Sequence, residues 1–278
     1  MARTRITVAG RSDAPALARF AAQQPLVWAD FASIALLQPD EPRVWLAQVG
    51  DTIEAAAIDD GLAMSVGGTT AGLEAIAAHI GDLDTKLVVA GRPADVRTFV
   101  AGAGVPRRER PEHFMAVGRT ELRQPIEQIL LRVADESDLP MLVEVRAAAL
   151  SEEYDIPVPE GSRLHEELAD SVARAVRLQG VALWVEADRC AFTAQLIAKT
   201  PDAAMFGDLY TDPALRGAGR ATRALTAFCG WLMSESAHVT LRVGVDNMPA
   251  VHLYERVGFH PIDDFCSSLG PRPDELPS

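Results

Sequence analysis

The chain repeats itself. Val8-Ala9-Gly10-Arg11-Ser12-Asp13-Ala14-Pro15-Ala16-Leu17 aligns without a gap on Val133-Ala134-Asp135-Glu136-Ser137-Asp138-Leu139-Pro140-Met141-Leu142, an offset of 125 residues. In both copies a short apolar or β-branched run, residues 6–8 and 129–133, leads to Ser-Asp and then Pro. That is how a strand hands over to a capped helix. A weaker echo joins residues 88–105 to 242–259 at an offset of 154, each a strand, a turn and a helix ending in Gly plus an apolar residue. The second copy therefore carries 154 − 125 = 29 extra residues, which the helical stretch 161–179 accommodates. A tandem duplication in which one copy has drifted accounts for both echoes. The expected fold is α/β (α+β), with two tandem domains, each a mixed twisted sheet flanked by helices. They are expected over residues 1–122 and 126–278, the boundary falling near 118–126, where Gly118-Arg119-Thr120-Glu121 and Gln124-Pro125 break periodicity.

Composition narrows the function. With 278 residues, 48% of them hydrophobic, the chain can bury two cores. A net charge of 26 − 39 = −13 argues against a nucleic-acid partner, which needs a basic surface. No run approaches the roughly 18 apolar residues of a membrane span, and the N-terminus has no signal core, so a cytoplasmic protein without a membrane partner is expected. Cys190, Cys229 and Cys266 have no C-x-x-C spacing and read as buried free thiols. The six histidines do not cluster, and no metal site is expected.

In the second half, residues 137–150 and 161–179 read as amphipathic helices separated by a loop at 152–160 that Pro157 and Pro159 break. Strands are expected at 181–185, 191–197 and 205–210, a helix at 220–233, a strand at 238–245, a helix at 249–257 and a last strand over 259–268.

Most of the chemistry sits in residues 207–221. A strand ends at Tyr210-Thr211, Pro213 stops it, and Gly217 and Gly219 open a long helix. Paired glycines allow a tight turn with bare N–H groups, and the helix start adds unpaired donors and the positive end of its dipole. This is an anion site that fits a pyrophosphate, with Arg216, Arg220 and Arg223 around it in an acidic protein. Neither G-x-G-x-x-G nor the P-loop G-K-[S/T] is present.

The segment Arg216-x-x-Gly219-x-Ala221 after Leu-Tyr-Thr-Asp-Pro resembles the acetyl-CoA pyrophosphate loop, [Q/R]-x-x-G-x-[G/A], of the GNAT superfamily of N-acetyltransferases. Residues 241–259 resemble its closing segment, N-x-x-A-x-x-x-Y-x-x-x-G-F. The resemblance covers residues 129–269 and extends to tandem GNAT proteins with a degenerate first copy. It implies acetyl-CoA as acyl donor and an amine as acceptor. The backbone of Arg216, Gly217, Ala218, Gly219, Arg220 and Ala221 would hold the pyrophosphate, and that of Leu209, Tyr210 and Thr211 the pantetheine arm. Asn247 would contact the cofactor side, and Tyr254 would protonate the departing thiolate. Asp208 lies close to where many such enzymes place their general base. Structural roles stand beside these: a buried aromatic for Tyr254, a helix N-cap for Asn247, a solvated carboxylate for Asp208. A non-catalytic acyl-CoA sensor on the same fold is the alternative function. In the first copy Pro93 and Val100 stand where Asn247 and Tyr254 do, Gly104 matches Gly258, and the loop candidate Gly67-Gly68-Thr69-Thr70 has no arginine. That half reads as non-catalytic.

Overall fold

The computed structural model describes residues 4–34, 43–59, 63–81, 87–102, 107–123 and 129–270. The first copy comprises β1 (Arg5–Val8), α1 (Ala14–Ala21), α2 (Ala29–Ile34), β2 (Arg43–Val49), β3 (Thr52–Asp59), β4 (Ala63–Gly68), α3 (Thr70–Ile80), β5 (Val88–Gly91), α4 (Pro93–Val100) and β6 (Arg108–Gly118). The second comprises β7 (Arg132–Val133), α5 (Leu139–Tyr154), α6 (Arg163–Arg177), β8 (Val181–Glu186), β9 (Arg189–Lys199), β10 (Ala203–Tyr210), α7 (Arg220–Leu232), β11 (His238–Gly244), α8 (Met248–Val257) and β12 (His260–Leu269). Among the described residues no helix is long and apolar enough to cross a membrane.

The duplication is visible in backbone geometry. Each copy leads into its first helix through a 3-10 turn, Arg11–Asp13 and Glu136–Asp138. The Gly10 N–H donates to Asp13 Oδ2 at 2.8 Å, and the Asp135 N–H to Asp138 Oδ2 at 2.9 Å. Asp13 and Asp138 share nearly the same backbone angles, φ −86° with ψ −10° and φ −85° with ψ −13°. Strand pairing repeats too. β1, β2, β3 and β4 pair antiparallel in sequence and β4 pairs parallel with β5; β7, β8, β9 and β10 do the same, and β10 pairs parallel with β11. The fold is mixed α/β.

The compact units interleave along the chain. Unit 1 takes Met1–Met115, Arg242–Asn247 and Pro261–Ser278, and unit 2 takes Ala116–Leu241 and Met248–His260. The division of the sequence near 118–126 concerns the two copies, and Gln124 and Pro125 lie outside the described residues. Unit 1 orders its strands β1-β2-β3-β4-β5-β12-β6, with Leu73 and Ile76 of α3 and Val96 and Phe99 of α4 packed on Ala47, Ala55, Ala57, Met64, Val66, Val89 and Cys266. Small side chains on β2 and β3 admit α3 closely: a Cβ on Gly72 would stand 2.7 Å from that of Ala55. In unit 2, ordered β11-β10-β9-β8-β7, one cluster joins Leu142 of α5 and Val172, Ala175 and Val176 of α6 to Val181, Leu183 and Cys190. A second, aromatic cluster runs through Phe192, Phe206, Phe228, Tyr254 and Phe259. All three cysteines are buried free thiols.

The last strand is thus part of unit 1. Cys266, Ser267, Ser268 and Leu269 pair antiparallel with Gly91, Ala90, Val89 and Val88. Arg107 bonds the Ser268 hydroxyl at 3.0 Å and its carbonyl at 2.8 Å, and Ser267 donates to the buried Glu112 carboxylate at 2.7 Å. A chain ending at His260 loses all of these, together with buried Phe265 and Leu269, a loss on the order of 5 kcal/mol. Its thermal melt should lose cooperativity in unit 1, and a melt like that of the full chain would contradict this reading of β12.

Candidate functional site

The site starts from an irregularity in β10. Its register on β9 runs Phe206↔Leu196, Gly207↔Gln195 and then Tyr210↔Thr193, so β10 inserts one extra residue. Asp208 sits in this β-bulge at φ 55°, a left-handed conformation that costs a non-glycine residue about 1–3 kcal/mol. On the other side the parallel ladder to β11 pairs Ala203, Ala204 and Met205 with His238, Val239 and Thr240 and then stops. From Phe206 onward, the β11-side backbone of β10 has no strand partner within unit 2. An extended amide chain is the natural partner for such an edge. Arg146 of α5 pairs with the Asp208 carboxylate and braces the bulge.

β10 then runs into the glycine loop. The Asp212 N–H donates to Cys190 O at 2.9 Å, the Thr211 hydroxyl to Ala191 O at 3.0 Å, and the Ala214 N–H to Asp212 Oδ1 at 2.8 Å. The last of these bonds is the main cause holding the Asp212 carboxyl below its ordinary range. Arg216 to Gly219 are exposed, and Gly217 and Gly219 hold φ of 80° and 74°. A Cβ at either would meet nothing within 4 Å, so these glycines serve backbone conformation and open access. Gly219 caps α7 without a side-chain hydrogen bond. The N–H groups of residues 217–222 meet no acceptor among the described residues, leaving a row of donors at the positive end of a helix.

The loop arginines point elsewhere. Arg216 donates from Nε to Thr211 O at 2.9 Å and from Nη2 to Glu152 Oε2 at 2.8 Å, with its guanidinium 5.2 Å from the Tyr210 ring centre. The Tyr210 hydroxyl donates to Glu152 Oε1 at 3.3 Å; burial and then this carboxylate raise the Tyr210 pKa. Arg220 grips Glu186 at 2.8 and 2.6 Å and donates to Leu215 O at 3.3 Å. Arg223 lies 5.9 Å from the Trp184 ring.

Tyr254 of α8 is 6% exposed and packs edge-on against Phe206 and Phe259. Burial pushes its phenol well above its ordinary range, reinforced by the negative charges of Glu153 and Asp208, which are close enough to be felt there. Its hydroxyl has no hydrogen-bond partner among the described residues. The end of α8 is set by Gly258 at φ 119°, where a Cβ would stand 2.3 Å from Glu121 O.

Unit 2 therefore carries Asp208, Leu209, Tyr210, Thr211, the loop from Arg216 to Ala221, and Tyr254. Asn247 belongs to the Arg242–Asn247 segment of unit 1; it directly precedes α8, the N-cap position, and its N–H donates to Gly244 O at 3.0 Å. Sequence reasoning missed Arg146 and Glu186 and misplaced Glu152 and Glu153. The expected loop at 152–160 begins later, because α5 runs on to Tyr154 and ends at Asp155 in a left-handed cap.

The corresponding region of unit 1 is closed. β4 pairs with β3 through Gly67 and Gly68 without a bulge. Gly91, the last residue of β5, lies so close to β4 that a Cβ would stand 2.6 Å from Val66 O. The Gly68 N–H donates to the Asp95 carboxylate, the Thr69 N–H to Glu54 O at 2.8 Å, and the Gly72 N–H to Thr69 Oγ1 at 3.2 Å. Three donors of this loop are thus satisfied internally. Pro93 and Val100 lie on α4, whereas Gly104 falls outside the described residues.

Comparison with known proteins bears on the family and the fold. Residues 154–259 match the acetyltransferase (GNAT) family. No protein with a curated description matches the sequence. Among solved structures, a GCN5-related N-acetyltransferase from Sphaerobacter thermophilus is similar over 98% of each chain, at 19% identity and a TM-score of 0.58. A tandem GNAT protein from the clavulanic acid biosynthesis pathway is similar over 97% of this chain and 99% of its own, at 14% identity and a TM-score of 0.55. An acetyltransferase described as of the GNAT family from Novosphingobium aromaticivorans covers 78% of this chain with 87% of its own, at 17% identity and a TM-score of 0.56. The family match is thus confined to the second half of the chain, while nearly the whole chain has the fold of solved tandem GNAT proteins.

The loop brace is pH-sensitive with a defined sign. Hydrogen bonds from Arg220 hold the Glu186 carboxyl below its ordinary 4.5. A depressed folded pKa contributes stability above the unfolded value that fades as pH falls toward the folded one. Wild type should melt above Glu186→Gln in neutral solution, with the gap shrinking below pH 4.5. A gap constant from about pH 6 to about pH 3 would contradict the assignment.

Proposed function

We propose that unit 2 transfers an acetyl group from acetyl-CoA to an amine by direct attack in a ternary complex. One observation carries the reading: a bulged strand with an unpaired edge leads directly into a row of unpaired N–H groups at a helix start. Edge and loop suit the two polar parts of one ligand, an amide-bearing arm and a pyrophosphate. Leu209, Tyr210 and Thr211 would pair their backbone with the arm, and residues 217–221 would hold the phosphates through N–H groups, the Arg216 N–H being already donated to Pro213 O at 3.3 Å.

Attack of the amine nitrogen on the thioester carbonyl forms the C–N bond and breaks the C–S bond. Asp208, a carboxylate in its pair with Arg146, takes the amine proton through water. Tyr254 gives its proton to the departing thiolate and regains one from solvent. A phenol whose pKa burial raises keeps its proton at neutral pH and yields it only to a developing anion beside it. The net charge of −13 draws cationic acceptors by long-range attraction. Unit 1, whose equivalent loop is occupied by Asp95, binds no donor and serves as support.

Two measurements test this. Gly219→Val puts a branched side chain on a left-handed position at the donor row and should weaken acetyl-CoA binding at least about tenfold in a calorimetric titration; undiminished affinity would remove the site. Tyr254→Phe keeps the ring and its packing but deletes the hydroxyl. CoA release over a panel of amines should fall by about 10² to 10⁴ with donor affinity nearly unchanged. A variant that melts early yet keeps its turnover per folded molecule would make Tyr254 a packing residue. Binding without CoA release from wild type over the panel would instead support an acyl-CoA sensor.

A further inference from the structure

Both loop arginines share a pattern that a phosphate ligand would not need. Each donates to a carbonyl of its own loop, Arg216 to Thr211 O and Arg220 to Leu215 O. Each also holds a carboxylate from another element of unit 2, Glu152 near the end of α5 and Glu186 at the end of β8. Glu152 uses both oxygens, one for Arg216 and one for the Tyr210 hydroxyl, and Arg216 also lies over the Tyr210 ring. Glu186 takes Arg220 in a bidentate grip, a geometry that fixes direction as well as distance. The glycines impose the opposite requirement, since left-handed residues at 217 and 219 leave the loop without side chains to anchor it. Something outside the loop has to hold its donors in one arrangement before an anion arrives.

We propose that Arg216 and Arg220 are struts of the loop rather than ligands of the donor's phosphates, and that Glu152 and Glu186 are the positioning residues against which they brace. The proposal rests on the acyl-CoA reading of the loop. Binding then draws on preorganised N–H groups, and the arginine charges are already balanced by carboxylates. Because Glu152 belongs to α5, which also supplies Arg146 to the bulge, one helix sets both the strand edge and the loop.

The two roles predict opposite signs for one substitution. If Arg216 contacted phosphate, Glu152→Gln would free the guanidinium and remove a neighbouring negative charge, so acetyl-CoA would bind more tightly or equally. A strut loses its brace, and binding weakens. Acetyl-CoA titration of the full chain should show Glu152→Gln and Glu186→Gln each weaker by about 3- to 10-fold. Each double variant, Glu152→Gln with Arg216→Gln and Glu186→Gln with Arg220→Gln, should bind within about twofold of its weaker single variant, because both changes break one interaction. The Glu152 and Arg216 side chains are 47% and 45% exposed, so that pair tests the proposal even if the Glu186 variants fold poorly. Unchanged or tighter binding in Glu152→Gln, or fully additive losses in the Glu152 and Arg216 pair, overturns the struts. Wild type that fails to bind acetyl-CoA is a separate result, which overturns the donor reading itself and the struts with it.

Discussion

β10 stops pairing with β11 after Met205, and the rest of the site follows from that separation. A strand inside a sheet satisfies its backbone on both sides; one that loses a neighbour leaves amides that must find another partner. The bulge at Asp208 turns this into a defined geometry, because the added residue reorients the strand just before it runs into the loop. Holding an aspartate left-handed is unfavourable, and the Arg146 ion pair is the visible compensation.

The first unit shows what happens without the bulge. It keeps the same strand order and the same parallel pair, yet β4 stays in register with β3, Gly91 draws in against Val66, and an internal carboxylate takes a loop donor. Packing alone preserves such a copy. Its retention also has a topological cause, since β12, which follows the last helix of the second copy, pairs with β5 and is bonded through Arg107 and Glu112. The second copy of the sequence cannot be removed without stripping β12 from the sheet of the first.

Much of this was legible in the sequence where the cause is local. The Ser-Asp-x-Pro repeat predicted two capped helix starts, and Asp13 and Asp138 at those starts share backbone angles to within a few degrees. Gly217 and Gly219 announced a left-handed turn because few other residues adopt one cheaply. The strands and helices of the second half were readable from periodicity, apart from the extra turn of α5 and the strand expected over residues 129–133, of which only Arg132–Val133 forms. What was not legible is non-local. Glu152 and Arg216 are 64 residues apart and Glu186 and Arg220 are 34 apart, so spacing carries no trace of either pair. Read from the sequence, the loop arginines were cations around an anion site; their partners could be found only once α5 and β8 were placed. The destination of β12 was hidden for the same reason, because a strand pattern does not name its neighbour.

Amide hydrogen exchange with and without acetyl-CoA tests the central claim most directly, since it reports on the backbone groups left open along β10 and the glycine loop. Saturating donor should slow exchange at residues 206–211 and 217–222 and leave the loop at 67–72 of the first unit unchanged. Protection at 67–72, or donor bound with no slowing along β10 and the glycine loop, would contradict this assignment of the donor site.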